Sequence, residues 1–211
     1  MSKLRNVHKP GALVGALFVA ASIFVIGGQA TASHEPADKV SAAGSSTEIV
    51  PAGSQTVILS EEVKTANPTD LILGVTAECS ITTDVTTVGS QTQSAEGTLR
   101  FWVEVDGIPV PVSQEDTDAG RVVFCNRLYE RTTSLGADDE QDSIRTFMRT
   151  RNANGFNWMA LNVGHGIHTI EVKAELITAS TMPSTATGVI GNRTLIVEPV
   201  KSANDEVVTE F

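Results

Sequence analysis

Aromatic residues and histidines are scarce in this sequence, and their scarcity limits the sites it can build. Aromatics make up 5% of the 211 residues, and there are four histidines. A platform of several stacked rings, one way of holding a sugar, is therefore hard to assemble. His165, His168 and Glu171 do form an H-x-x-H-x-x-E pattern. In a strand, however, a spacing of three places side chains on opposite faces, so we expect a Gly-rich turn here and not a metal site.

Cysteine is almost absent, and the sequence has no C-x-x-C motif. The two cysteines, Cys79 and Cys125, lie far apart in the chain. Two cysteines in an exported chain favour a structural disulfide over a redox or metal-binding pair. Closing a loop of this length stabilises a fold by about 4 kcal/mol in the chain-entropy estimate.

Catalytic signatures are missing as well. The sequence contains no G-x-S-x-G elbow, no H-E-x-x-H motif and no Gly-rich phosphate loop between a strand and a helix. The 25 acidic residues leave room for a carboxylate pair, but their spacing selects none. We therefore expect a protein that is not an enzyme and needs no cofactor. The alternative is an exported hydrolase that uses paired carboxylates.

The first 32 residues have the three parts of a secretory signal peptide. Lys3, Arg5 and Lys9 precede an apolar stretch over residues 11–26, and an A-x-A cleavage pattern ends at Ala32. The apolar stretch is shorter than the roughly 20 residues that span a bilayer. We expect a secreted protein, extracellular or periplasmic. If the segment stays uncleaved, it tethers the protein to the membrane.

Export makes an acidic chain more acidic. Removing residues 1–32 takes away three basic residues and no acidic one, so the formal charge changes from −10 to −13. A surface of this sign repels phosphate backbones and anionic headgroups. We expect no nucleic-acid partner, and no membrane association unless the N-terminal segment is retained.

The remaining chain divides into three parts. Residues 33–54 are rich in Ser, Ala and Gly and are interpreted as a flexible lead-in, and residues 201–211 as a polar tail. Residues 55–200 are long enough for one domain with its own core. No window there has a helical apolar stripe, while Thr and Val are frequent.

Alternating apolar residues predict strands throughout this domain. The clearest cases are residues 168–177, 75–81 and 99–105. Asp106 and Gly107 follow the last of these and predict a hairpin, whose return strand, with prolines at 109 and 111, belongs at a sheet edge. Further strands are expected at 55–59, 120–131, 143–150, 157–163 and 188–197, and loops at 134–142 and 179–187.

About nine short strands separated by turns predict an all-β fold. We expect a single antiparallel two-sheet sandwich, of jelly-roll or immunoglobulin-like type.

Two features are candidate sites. Trp102 lies out of phase with its apolar neighbours, so it is a possible contact for a ligand or partner unless a loop covers that face. Asp116 and Asp118 form a fragment of a calcium loop, and Asp138 and Asp139 lie in a second acidic segment, so all four are weak calcium candidates.

The leading hypothesis is an exported, non-catalytic binding or surface-interaction module with an unknown protein or glycan partner. Besides the hydrolase, a second alternative to this hypothesis is a structural subunit that self-associates through strand edges. Arg145, Arg149 and Arg151 cluster in sequence near the second acidic segment, and we interpret them as balancing local charge.

Overall fold

The structure is a computed structural model and describes residues 39–113, 115–134 and 143–201. These residues form one compact unit. The predicted signal peptide, the start of the lead-in and most of the polar tail lie outside the described residues.

Ten strands make up the fold. They are β1 (Val40–Gly44), β2 (Glu48–Val50), β3 (Gln55–Thr65), β4 (Thr69–Val88), β5 (Thr92–Val105), β6 (Ile108–Pro109), β7 (Val122–Thr132), β8 (Ser143–Val163), β9 (Gly166–Ser180) and β10 (Thr185–Val200). Among the described residues there is no helix, and so no helix that could cross a membrane.

The strands form two antiparallel sheets, which confirms the predicted two-sheet sandwich. Sheet I has the order β1-β10-β4-β8, with β2 also paired to β10. Sheet II has the order β3-β9-β5, with β6 and β7 both paired to β5.

The pairing of the eight longer strands is nested, and this identifies the type of sandwich. The first pairs with the last (β1 with β10), the second with the seventh (β3 with β9), the third with the sixth (β4 with β8) and the fourth with the fifth (β5 with β7). A long hairpin rolled up in this way is a jelly roll. The structure therefore selects the jelly roll over the immunoglobulin-like alternative.

The core lies between the sheets and follows from period-two alternation. Within β9, Ile170, Val172, Ala174 and Leu176 all point inward and are buried, as the sequence predicts. Strands β4 and β5 contribute the other large inward side chains. Alternation arises because successive side chains in a strand point to opposite faces, and one face of each sheet is packed.

The predicted hairpin and edge are confirmed. Asp106 and Gly107 have φ values of 52° and 82°, as a two-residue type I′ turn requires. The return strand β6 extends only to Pro109 and pairs only with β5, because proline cannot donate to a further ladder.

Three segments differ from expectation. The predicted lead-in contains β1 and β2, which pair with β10 and so belong to sheet I. The strands expected at 143–150 and 157–163 are one strand, β8, because polar residues continue the ladder where no core demands apolar ones. The connection between β9 and β10 is shorter than the loop expected at 179–187. The other expected loop lies mostly outside the described residues.

The predicted disulfide joins the two sheets. Cys79 of β4 and Cys125 of β7 are bonded, with a Cα–Cα distance of 6.1 Å and a sequence separation of 46. Both are buried. Because β4 belongs to sheet I and β7 to sheet II, the bond links the layers through the core.

Candidate functional site

Strand β8 forms one edge of sheet I and is the longest strand, with 21 residues. It pairs with β4 from Ser143, opposite Val88, to Val163, opposite Thr69. On its other side it has no hydrogen-bonded strand among those described. An edge of this kind presents a row of backbone N–H and C=O groups that can pair with another chain.

Most of this edge is exposed on both faces. Residues 143–157, called here the β8 edge, include no buried side chain, and Trp158 is the first buried residue of the strand. Phe147 is 59% exposed, and Met148 and Phe156 are exposed as well. Exposed apolar side chains grouped along one open edge are typical of an interaction surface.

The β8 edge is also basic. Arg145, Arg149 and Arg151 lie on its outer face, and the whole strand contains no acidic residue. The complete chain has a formal charge of −10. The edge is therefore a positive stripe on an acidic protein.

Two of the three arginines are paired with β4. Arg145 contacts Asp84 at 2.6 Å, and Arg151 contacts Glu78. Hydrogen bonds from these arginines hold the pKa values of Asp84 and Glu78 below their usual range. The interpretation as charge balance thus holds for two arginines, although their partners lie on β4 and not in the acidic segment.

Arg149 differs from its neighbours. Its Nε donates to the Ser80 hydroxyl at 2.8 Å. Within the part of the chain that the structure describes, it has no acidic partner. Its charge is the one on this stripe that remains available to an outside carboxylate.

Strand β7 supports β8 from the core side. Arg127 donates to Thr150, and Arg131 donates to Thr146 at 2.5 Å. Asn154 of β8 donates to the backbone carbonyl of Phe124. These contacts hold the β8 edge in an extended conformation, so its outer face and its open backbone are presented on a fixed strand.

A shallow trough adjoins the β8 edge on the outer face of sheet I. Its volume is about 400 Å³. Its lining includes small side chains, among them Thr76 and Ala153, together with Glu78 and Asn192. Glu78 is the single carboxylate in the trough.

Trp102 is buried, so the expectation that its indole faces water is wrong. None of its surface is exposed, and its Nε1 donates to Glu104 at 2.9 Å. The guanidinium of Arg121 lies 4.6 Å from the ring centroid, and Arg121 also pairs with Glu175. The chain leading into β7 thus covers this part of sheet II, and the indole has no surface left for a partner.

In the first calcium candidate, the Asp116 carboxylate is already hydrogen-bonded by backbone N–H groups of its own loop. Asp116 accepts hydrogen bonds from the backbone N–H groups of Val112, Asp118 and Gly120. Burial acts to raise the pKa of Asp116, but these three bonds lower it overall. Asp118 pairs with Arg100 at 3.1 Å. The carboxylate of Asp116 therefore holds the loop closed.

Other metal ligands do not converge. Asp138 and Asp139 lie outside the described residues. His165 is exposed, whereas His168 is buried and contacts the Asp106 carboxylate at 2.7 Å. Over residues 39–113, 115–134 and 143–201, no three His, Cys, Asp or Glu side chains form a group that could hold a metal ion.

The β8 edge was not identified from the sequence, although a signal was present. The pattern Arg145-x-Phe147-x-Arg149-x-Arg151 has period two and contains no acidic residue. Because residues two apart in a strand point to the same face, these four side chains are expected on one face of a strand. That β8 has no hydrogen-bonded neighbour on its outer side among the described strands, however, depends on the sheet order.

Comparison with known proteins identifies no family. No family model matches the chain, and no curated protein matches it. A chain in the structure of infectious bursal disease virus Gx strain aligns with 11% identity over 79% of this chain and 33% of that one, with a TM-score of 0.33. A chain in the structure of infectious bursal disease virus Gt strain aligns with 10% identity over 82% of this chain and 43% of that one, with a TM-score of 0.15. This chain spans about a third of the first of these, and at such TM-scores the likeness carries no argument.

Proposed function

We propose that this protein is an exported, non-catalytic binding or surface-interaction module whose binding surface is the β8 edge. The observation that carries the proposal is the combination, on one open strand, of three arginines, exposed apolar side chains and no acidic residue. Export is supported by the signal-peptide pattern and by a disulfide, since disulfides persist in oxidising compartments.

The chemistry of the edge defines its partner. An extended peptide can add to an open strand, with main-chain hydrogen bonds supplying affinity and alternate side chains supplying specificity. Beside the three arginines, acidic residues at alternate positions are favourable. Apolar residues between them match Phe147 and Met148. The partner is therefore an acidic, strand-forming segment.

The hydrolase alternative is less well supported. A two-carboxylate mechanism needs a second acid within about 10 Å of the first in an accessible cleft. The trough beside β8 contains only Glu78, and its hydrogen bond with Arg151 keeps it ionised. We therefore place binding ahead of catalysis.

A peptide-binding experiment tests the proposal. The probe is a short synthetic peptide in which glutamate alternates with valine and threonine, and its control replaces each glutamate with lysine. We expect the acidic probe to bind and the basic one not to bind. NMR chemical-shift changes should concentrate on β8 and β4, and affinity should fall as salt screens the charges.

Charge reversal on the edge provides the matched comparison. Arg149→Glu should weaken binding of the acidic probe about tenfold, because a like charge then faces the glutamates. Lys39→Glu reverses an exposed charge before β1 and should leave binding unchanged. Equal effects of the two substitutions would show that net charge matters and the β8 edge does not.

A further inference from the structure

We infer that the β8 edge binds residues 202–211 of a second copy of this chain. The inference rests on the proposed function, since it names the occupant of the same surface. The segment S-A-N-D-E-V-V-T-E-F has three acidic residues and no basic one. It also contains valine, threonine and phenylalanine, which favour strands. It therefore has the chemistry of the partner that the β8 edge requires.

The charges of the two segments have the same spacing. Glu206 and Glu210 are four residues apart, as are Arg145 and Arg149. In extended chains this spacing corresponds to about 13 Å and places each pair on one face. In an antiparallel arrangement with Glu206 opposite Arg149, Glu210 lies opposite Arg145. Glu206 then faces Arg149, which has no acidic partner among the described residues, and Glu210 faces Arg145, whose guanidinium it shares with Asp84.

The same register also pairs apolar residues. Val208 falls opposite Phe147 on the outer face, between the two charge pairs. On the other face, Val207 falls opposite Met148. Both β8 side chains are exposed in the present structure. Cross-strand pairs of this kind stabilise neighbouring strands.

The segment cannot reach this register on its own chain. Val200 pairs with Asp70 at the start of β4, next to the Val163 end of β8. Arg149 precedes Val163 by 14 residues in this strand, a distance of about 46 Å. The six residues from Lys201 to Glu206 extend over at most about 22 Å. The occupant must therefore come from another molecule.

Pairing of two β8 edges is the less favourable way to join two copies. Each edge has an unshared positive charge at Arg149 and no acid of its own, so two edges offer each other no complementary charge. Like charges directly opposite one another destabilise a pair of strands. Insertion of residues 202–211 replaces this repulsion with attraction.

Analytical ultracentrifugation of the secreted chain tests the inference. We expect association that strengthens with protein concentration and weakens with salt. Removing residues 202–211 should produce a monomer with an unchanged thermal midpoint. A monomer at every concentration, or association that persists without residues 202–211, would overturn the inference.

A charge exchange tests the register. Arg149→Glu and Glu206→Arg should each weaken association about tenfold, and the double variant should recover most of the loss. Glu210→Arg is the matched control and should not rescue Arg149→Glu. Equal rescue by both would contradict the specific pairing.

The outcomes separate this inference from the proposed function. If the secreted chain is monomeric but the acidic probe peptide still binds in an Arg149-dependent way, the β8 edge is a binding surface and its occupant is another protein. If neither self-association nor probe binding occurs, both proposals fail.

Discussion

Glu104 is a buried carboxylate whose two oxygens are both engaged. Oε1 accepts from the Trp102 indole, and Oε2 accepts from the Lys173 ammonium at 2.6 Å. Lys173 also lies 3.3 Å from Glu171. The hydrogen bond with Glu104 is the main reason that the pKa of Lys173 is raised, against the opposing effect of burial. Trp102 is therefore part of a polar network that closes the outer face of sheet II.

This network predicts a pH dependence of stability. Because the pKa of Lys173 is higher in the folded protein than its ordinary value of 10.5, the stabilisation is fully present below pH 10.5 and is lost as the pH rises through the folded value. Lys173→Met should cost about 2 kcal/mol at neutral pH, because it leaves Glu104 without its cation. Urea denaturation at pH values on both sides of 10.5 measures both effects.

Comparing Lys173→Met with the parent protein separates the effect of Lys173 titration from that of other groups that titrate at high pH. The unfolding free energy of Lys173→Met should fall less steeply above pH 10.5 than that of the parent protein. Parallel profiles would contradict the assignment. Lys201→Met, at an exposed lysine, serves as the control and should follow the parent.

Strand β10 is held to its neighbours at a bulge by one buried arginine. The register between β10 and β4 shifts between Ile190 and Arg193. Arg193 donates to the carbonyls of Ile58 and Ser46 and pairs with Glu48 at 3.0 Å. Its guanidinium thereby connects β10 with β3 and with the β1–β2 segment. This contact explains why residues that resemble a flexible lead-in are ordered strands.

Removing this arginine should release the β1–β2 segment. Arg193→Met leaves Glu48 and the carbonyls of Ser46, Ile58 and Gly191 without their donor and should destabilise the fold by about 3 kcal/mol. Lys39→Met removes an exposed ion pair and should cost less than about 1 kcal/mol. Hydrogen exchange should show faster exchange in β1 and β2 for the first variant. Unchanged protection there would contradict the proposed role of Arg193.

The two sheets are joined covalently as well as by packing. The Cys79–Cys125 bond links β4 to β7 near the arginine contacts that support β8. Polar groups lie in the interior at this end of the sandwich: Thr83 is buried and accepts a hydrogen bond from Arg127, and Thr87 is buried and donates to the Ile144 carbonyl. Polar contacts contribute less cohesion than apolar packing, so the disulfide adds a covalent link between the sheets next to this polar region.

Loss of the disulfide should lower stability substantially. The double variant Cys79→Ala, Cys125→Ala should lose about 4 kcal/mol, because the unfolded chain regains the entropy of an open loop. Reduction of the parent protein should produce a similar loss in chemical denaturation. A loss below about 1 kcal/mol would mean that packing alone holds the sheets together.

Much of the architecture could be predicted because it depends on local alternation. The strands around Val75, Phe101 and Val172, the hairpin at Asp106, and the cysteine pair all follow from patterns within short stretches or from composition. The position of Trp102 could not be predicted in this way. Its burial depends on Arg121, which precedes β7 and reaches the indole because β7 pairs with β5 in the tertiary structure.

The sequence by itself determined an all-β sandwich with a structural disulfide, because period-two alternation and cysteine count are properties of the chain alone. The tertiary structure decided which strands are edges, since edge position depends on the nested pairing of strands far apart in sequence. That pairing leaves one side of β8 without a hydrogen-bonded partner among the described strands, while the even spacing of its arginines places them on one face. The candidate site is therefore a consequence of topology, as the same residues on a central strand would have no room for a partner.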